Sequence, residues 1–220
     1  MLTQKLMGAA GLGSKPVTYV GAGAMQKYTS ASGAATPPPA GAAVGDLLVC
    51  AIMARSTLTA EAGWVQSATI TGTIVSQRTE LWTKIADSGD LSSDPVFTQS
   101  SSNRFLTQML AFRKENSSPE VITSDTRVDT SDFVATLATV TGDAKGQMAI
   151  TAGSSVYADG NHTMVLSAGW TQTTPTSGDS IRLGVGYIAV DAGDDADGTL
   201  TIGSVGISSN SWPMVAILLG

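Results

Sequence analysis

Residues 45–49 read Gly45-Asp46-Leu47-Leu48-Val49, and the apolar run continues as Cys50-Ala51-Ile52-Met53. Further along the chain a similar pattern returns as Gly146-Gln147-Met148-Ala149-Ile150. A short apolar run that is bounded by turn residues is typical of a buried β-strand. The two stretches therefore predict two buried strands that hold equivalent places in an internal repeat.

Further motifs follow these two strands in the same order. The paired stretches are Ala62-Gly63-Trp64 and Ala168-Gly169-Trp170, residues 81–90 and 185–194, and residues 105–112 and 212–219. Repeats of this kind indicate architecture more strongly than any single local motif. We therefore predict pseudo-repeats at about residues 45–113 and 146–219.

The composition favours an all-β fold. Only 14% of the 220 residues are charged, while 24 Gly and 8 Pro interrupt the chain at short intervals, which is atypical of a helical bundle. Apolar or alternating runs predict eight or more strands, the best at residues 46–54, 67–76, 80–86, 104–112, 147–156, 180–190, 199–205 and 212–219. Because neither half can bury its apolar face alone, we expect one jelly-roll-like antiparallel β-sandwich with Greek-key connections.

One predicted strand shows alternation with particular clarity. Its apolar residues occupy every second position and are Ile181, Leu183, Val185, Tyr187 and Ala189. A period of two places alternate side chains on one side of a strand. We therefore expect this strand to have one buried face.

The first 45 residues differ in composition from the rest. They contain Lys5, Lys15 and Lys27 but no acidic residue. The last part of this segment is a run of small residues and prolines, which we expect to be extended and helix-free. A short β-like piece at residues 17–20 interrupts the segment. We predict an N-terminal arm at residues 1–45 and a sandwich domain at residues 46–220.

Apolar residues near the chain start give the arm an attachment role. Leu2, Leu6 and Met7 fall on one side of a short helical turn that the following glycines end. These side chains have nothing local to bury against. We expect the arm to order on a partner, with Leu2, Lys5, Leu6 and Met7 as its attachment residues.

Charge and hydropathy exclude two classes of partner. The chain has 18 acidic and 12 basic residues, and the resulting net charge of −6 repels a phosphate backbone. Strongly apolar stretches such as residues 214–219 are too short to span a bilayer as a helix, and the first residues lack the apolar region of a signal peptide. We therefore expect neither nucleic-acid binding nor membrane insertion. We also expect the protein to be made in the cytoplasm.

The titratable residues form no recognisable catalytic or metal site. His162 is the one histidine and ends the turn-like run Asp159-Gly160-Asn161-His162, without a second metal ligand at short spacing. The acidic run at residues 191–198 lacks the EF-hand loop pattern, so an exposed acidic turn is the simpler interpretation, with weak calcium binding left open. We predict no catalytic residue, no cofactor and no structural metal.

Three further features have structural interpretations. Cys50 is the single cysteine and lies in an apolar run, so we expect it to pack in the core without a disulfide. The glycine-rich residues 8–15 lack the strand and the Lys-Ser/Thr pair of a phosphate loop. Trp64 and Trp170 hold equivalent repeat positions, which favours core packing over ligand stacking.

A family resemblance rests on Gly45-Asp46-Leu47-Leu48-Val49, Ala62-Gly63-Trp64, residues 81–86 and Ala111-Phe112-Arg113, closed by Ala168-Gly169-Trp170. The combination resembles small virion proteins of tailed bacteriophages. These proteins are jelly-roll or lectin-like β-sandwich modules of tail fibres, tail-tip appendages and related particle-surface proteins. The resemblance covers about residues 17–219 and implies fold and virion location, with no catalytic residue to carry over.

Residues and resemblance together leave three hypotheses. The favoured one is a non-enzymatic tail appendage or fibre subunit, made in the host cytoplasm, attached to other virion proteins by the arm and presenting the sandwich outward to a host glycan. The second is a capsid decoration protein that cements neighbouring capsid subunits. The third is a hydrolase of surface polysaccharide, for which no acid–base pair is identifiable. A homo-oligomer is expected because virion parts are symmetric.

Overall fold

The structure is a computed structural model that describes residues 15–73, 77–130, 134–156, 163–173, 181–203 and 211–220. Within these ranges the chain is nearly all β, in antiparallel sheets that pack together, which confirms the predicted sandwich class. The elements of the first half are β1 (Val17–Ala22), β2 (Gln26–Ala35), β3 (Leu47–Ala54), β4 (Leu58–Ala60), β5 (Val65–Thr71), β6 (Arg78–Ile85), α1 (Ser88–Ser92) and β7 (Val96–Lys114).

The second half begins after a short connection. Its elements are β8 (Val121–Asp129), β9 (Val134–Thr136), β10 (Val140–Thr141), β11 (Gln147–Val156), β12 (Thr163–Leu166), β13 (Thr171–Thr173), β14 (Ile181–Val190), β15 (Asp195–Ala196), β16 (Thr199–Gly203) and β17 (Trp212–Leu219). No described helix is long and apolar enough to cross a membrane.

Two large sheets form the centre of the sandwich and share one strand order. The first runs β5-β6-β3-β7-β1 and the second runs β13-β14-β11-β17-β8. The registers also correspond. In the first sheet, Val65 of the edge strand β5 pairs with Thr83 of β6. In the second sheet, Thr171 of the edge strand β13 pairs with Tyr187 of β14. The correspondence is one of order and register; superposition of the two halves stays a prediction.

The quoted apolar run forms β3, which is buried on both faces. Alternate side chains enter two different clusters: Leu47, Val49, Ala51 and Met53 face the second large sheet, and Leu48, Cys50, Ile52 and Ala54 face outward. A strand that is buried on both faces reads as a continuous apolar run rather than an alternating one. This double burial explains why the stretch has no polar position between residues 47 and 54.

The central core belongs to both halves. Its fully buried residues include Val49 and Leu110 from the first sheet and Ile150 and Ile217 from the second. The outer face of each large sheet carries a second hydrophobic cluster. In the first half this cluster is covered by β2, β4 and the start of β7. In the second half it is covered by the small sheet β9-β16-β12. The two halves therefore close one sandwich around a shared core.

The structure differs from the sequence-based boundary at residue 45. β1 and β2 pair with β7, and Val17 is buried in the central core, so residues 17–35 belong to the first sheet. The pattern missed β2 because its small residues lack apolar alternation. Residues 1–14, which include Leu2, Lys5, Leu6 and Met7, lie outside the described residues, and so does His162.

The predicted strands vary in accuracy. β11 and β17 have the predicted bounds, whereas β7 begins at Val96 and ends at Lys114, well outside the predicted 104–112. Asp87 caps the short helix α1: its carboxylate accepts hydrogen bonds from the backbone N–H groups of Gly89 and Asp90. Leu183 and Val185 are buried in the central core as predicted, but the single buried face is wrong, because Arg182 on the opposite face is buried as well and Ala189 is exposed.

Candidate binding cleft

A cleft of about 580 Å³ lies where the edge strand β1 of the first sheet meets β13 and β14 of the second. The residues between β1 and β2 form one wall, and Thr171 to Thr173 form the opposite wall. The cleft is therefore built from both halves of the chain. We call it the junction cleft.

Two tyrosines lie together in the junction cleft. The rings of Tyr19 and Tyr187 are stacked, with centroids 4.1 Å apart and an interplanar angle of 21°. Phe112 supports both rings from the central core, at centroid distances of 5.8 Å from Tyr19 and 6.3 Å from Tyr187. Burial raises the pKa of Tyr19, and the charge of a Tyr187 phenolate would raise it further. Tyr19 therefore stays a neutral phenol at physiological pH.

Gln108 joins the two halves inside the cleft. Its Oε1 accepts a hydrogen bond of 2.7 Å from the Thr173 hydroxyl, and its Nε2 donates to the Gly23 carbonyl at 3.3 Å. A side-chain amide has two N–H donors and an oxygen with two lone pairs. The two bonds fix the orientation of this amide, and the described residues leave one of its N–H groups and one lone pair without a partner.

Gln172 is held in a similar way on the opposite wall. Its Oε1 accepts from the backbone N–H of Leu166 at 3.0 Å, and its Nε2 donates to the Met164 carbonyl at 2.6 Å. The remaining described lining residues are uncharged, since they are alanine, glycine, methionine and threonine. The described lining of the junction cleft thus combines aromatic rings, oriented amides and hydroxyls and carries no formal charge.

A second groove, of about 460 Å³, occupies the corresponding place in the other half. It lies where the start of β8 meets β5 and β6, and Val65 and Thr83 line it where Thr171 and Tyr187 line the junction cleft. Its lining contains no aromatic residue among those described, and it carries the charges of Lys84 and Glu120. We call it the β5–β8 groove.

Both predicted core tryptophans are buried, in the outer clusters rather than in a cleft. Trp64 is 8% exposed and Trp170 is 9% exposed. Trp170 Nε1 donates a hydrogen bond of 2.9 Å to the Asp197 carbonyl, whereas Trp64 Nε1 has no hydrogen-bond partner among the described residues. Neither ring is placed to stack on a ligand in the junction cleft.

The acidic run folds back onto neighbouring loops. Asp191 Oδ1 accepts from the backbone N–H of Gly146, and Asp195 accepts from the Thr141 hydroxyl. Within the part of the chain that the structure describes, no group of three or more His, Cys, Asp or Glu side chains could hold a metal ion. Cys50 is buried, and burial raises the pKa of its thiol, so it is an inert core residue.

Sequence reasoning missed the cleft residues. Tyr187 was expected on the buried face of its strand, and Tyr19 lies in the short β-like piece at residues 17–20. The sequence gives one indication that these tyrosines matter, which is that the chain has only 4 Tyr. That the two rings stack depends on which strands of the two sheets face each other, and no local pattern encodes this.

Comparisons with known protein families, with curated proteins and with solved structures find no match to this chain.

Proposed function

We propose that the protein is a non-enzymatic structural protein of a tailed-bacteriophage virion, a tail appendage or fibre subunit. Residues 1–14 attach it to other virion proteins, and the sandwich faces outward toward the host surface. The observation that carries the proposal is where the described chain enters the sandwich, at Lys15 and Val17, relative to the junction cleft. The sequence resemblance to phage particle-surface proteins supports the virion location.

The chain joins the sandwich at one end of β1. Lys15 Nζ forms an ion pair of 2.9 Å with Glu115, and the backbone N–H of Val17 donates to the Gly146 carbonyl at 2.8 Å. Gly23 follows the other end of this six-residue strand, about 20 Å from Val17 at 3.3 Å per residue. A protein anchored through residues 1–14 therefore presents the cleft wall at residues 22–25 away from its anchor.

Buried hydrogen bonds make the sandwich a suitable rigid carrier. The Gln77 amide donates to Ser154 Oγ at 2.8 Å, and the Thr79 hydroxyl lies 2.6 Å from the same oxygen. Thr79 also donates to the Pro213 carbonyl at 2.8 Å. These bonds cross between the two large sheets, and such fully bonded buried networks fix one relative placement of the elements they join.

Deletion of residues 2–14 tests the attachment. The deleted protein is expected to keep the circular dichroism spectrum and melting temperature of the full chain, and to be absent from purified phage particles. Val44→Ser is the matched control, because Val44 is 66% exposed on the sandwich and this variant should enter particles normally.

Four results would contradict the proposal. The first is normal incorporation of the deleted protein, and the second is absence of the full-length protein from particles. The third is release of reducing sugars from host polysaccharide by the purified protein, which would indicate a hydrolase. A copy number that matches the capsid subunits would replace the appendage with a capsid decoration protein.

A further inference from the structure

We infer that the junction cleft binds a neutral saccharide unit of a surface glycan. The inference deepens the proposed host-surface role and rests on it only for the source of the glycan. The binding chemistry itself depends on the described residues of the cleft, chiefly Tyr19, Tyr187, Gln108 and Gln172.

The absence of charge in the described lining selects a neutral ligand. An ionised group that enters a partly buried site loses hydration, and this loss is compensated only where an opposite charge or several hydrogen bonds receive it. Among the residues that the structure describes, the lining offers neither Lys nor Arg to an anion and neither Asp nor Glu to a cation. A charged sugar such as a uronic acid is therefore disfavoured relative to its neutral counterpart.

The mixture of aromatic and amide groups selects a saccharide among neutral ligands. A pyranose ring has an apolar face of C–H groups and a rim of hydroxyls, so it needs a ring surface and hydrogen-bonding groups together. The Tyr19–Tyr187 pair supplies ring surface that Phe112 holds in place. A wholly apolar ligand would leave the amide groups of the walls without new partners, which costs binding free energy.

The amides are already oriented before a ligand binds. The bonds from Gln108 to Thr173 and Gly23, and from Gln172 to Leu166 and Met164, hold one amide on each side of the cleft. Groups that are fixed in advance lose little conformational entropy on binding. A volume of about 580 Å³ lies within the usual range of small-molecule sites, about 300–1,000 Å³.

The β5–β8 groove provides an internal comparison. The groove has the same position relative to its edge strand as the junction cleft has. It has Thr83 in the place of Tyr187, and its lining includes the charged residues Lys84 and Glu120. Saccharide binding is therefore expected in the junction cleft and not in the β5–β8 groove.

The experiment is a titration of the ¹⁵N-labelled full chain by NMR. The neutral probes are glucose, galactose, mannose and N-acetylglucosamine, and the charged probe is galacturonate, each up to about 50 mM because a single sugar unit binds weakly, with a Kd near 1 mM or above. At least one neutral sugar should shift the amide signals of residues 19–25, 108 and 171–173. Galacturonate should bind more weakly than galactose.

Thr171→Arg and Val65→Arg are matched variants, since both residues hold corresponding places on exposed edge strands. Thr171→Arg should weaken binding by about tenfold or more, because the new side chain fills the cleft and brings a charge. Val65→Arg should leave the affinity unchanged. Circular dichroism confirms that each variant folds.

The inference is overturned if none of the neutral sugars shifts the cleft signals, or if Thr171→Arg binds as well as the unchanged protein. These measurements use purified protein and need no phage particle. A negative result here therefore leaves the attachment test unaffected, and failure of the attachment test leaves the binding result standing.

Discussion

The loops that lead into the two buried strands β3 and β11 are braced differently. In the first half, Asp46 accepts from the backbone N–H of Ala43 and forms an ion pair with Arg113 at 2.7 Å. In the second half, Gln147 Oε1 accepts from the backbone N–H groups of Asp143 and Ala144, and Gln147 Nε2 donates to the Asp143 carboxylate, so an amide takes the place that Arg113 has in the first half. The comparison shows that this loop needs a side-chain acceptor at one position, while the ion pair is an addition of the first half.

The two tryptophans show a second difference between the halves. Each follows a glycine with positive φ, 90° at Gly63 and 98° at Gly169, a backbone conformation that favours glycine. Each backbone N–H then closes the same turn, to Glu61 in the first half and to Ser167 in the second. The indole surroundings differ, since Trp170 Nε1 donates to the Asp197 carbonyl and the Trp64 ring meets Phe97 edge-on at a centroid distance of 5.0 Å. The turn is therefore common to both halves, and the contacts of the ring are not.

The largest expected effect follows from removing either ring. Trp64→Ala and Trp170→Ala should each lower the free energy of unfolding by about 3–5 kcal/mol, because each leaves a cavity in an outer cluster. Urea denaturation monitored by circular dichroism measures the loss. A cost below about 1 kcal/mol in one half would mean that the two positions are not equivalent.

Replacement by phenylalanine sharpens the comparison. Trp170→Phe leaves the Asp197 carbonyl without the indole donor, whereas Trp64→Phe removes a buried N–H that has no partner among the described residues. The second-half variant should therefore cost about 1–2 kcal/mol more than the first-half variant. Urea denaturation measures the free energy of unfolding of both variants. Equal losses in the two variants would contradict the difference in hydrogen bonding.

The smallest expected effect is a pH dependence at α1. The backbone N–H of Asp90, followed by Lys84, lowers the pKa of Asp87. A lowered pKa means that the stabilisation is present above the unfolded pKa and is lost as the pH falls through the folded value. Asp87→Asn should therefore melt slightly below the unchanged protein at pH 7 and at the same temperature in strong acid. If the melting temperatures of the two proteins still differed in strong acid, the charge of Asp87 would be excluded as the cause of the difference.

Sequence patterns were informative where burial is simple. The apolar run of β3 and the closing strand β17 could be predicted because both are buried on every position. β8 was missed because it is an edge strand with mostly exposed polar residues, and β13 because it has three residues. The stack of Tyr19 on Tyr187 joins distant strands across two sheets, so it follows from tertiary packing rather than from local sequence.

The most direct test of the correspondence between the halves is a crystal structure, followed by superposition of residues 17–114 on residues 121–219. The expected result places β5-β6-β3-β7-β1 on β13-β14-β11-β17-β8 in register, with Trp64 on Trp170 and with the Tyr19–Tyr187 stack present in the junction cleft alone. A different strand order in the two sheets, or tryptophans in unrelated environments, would contradict it.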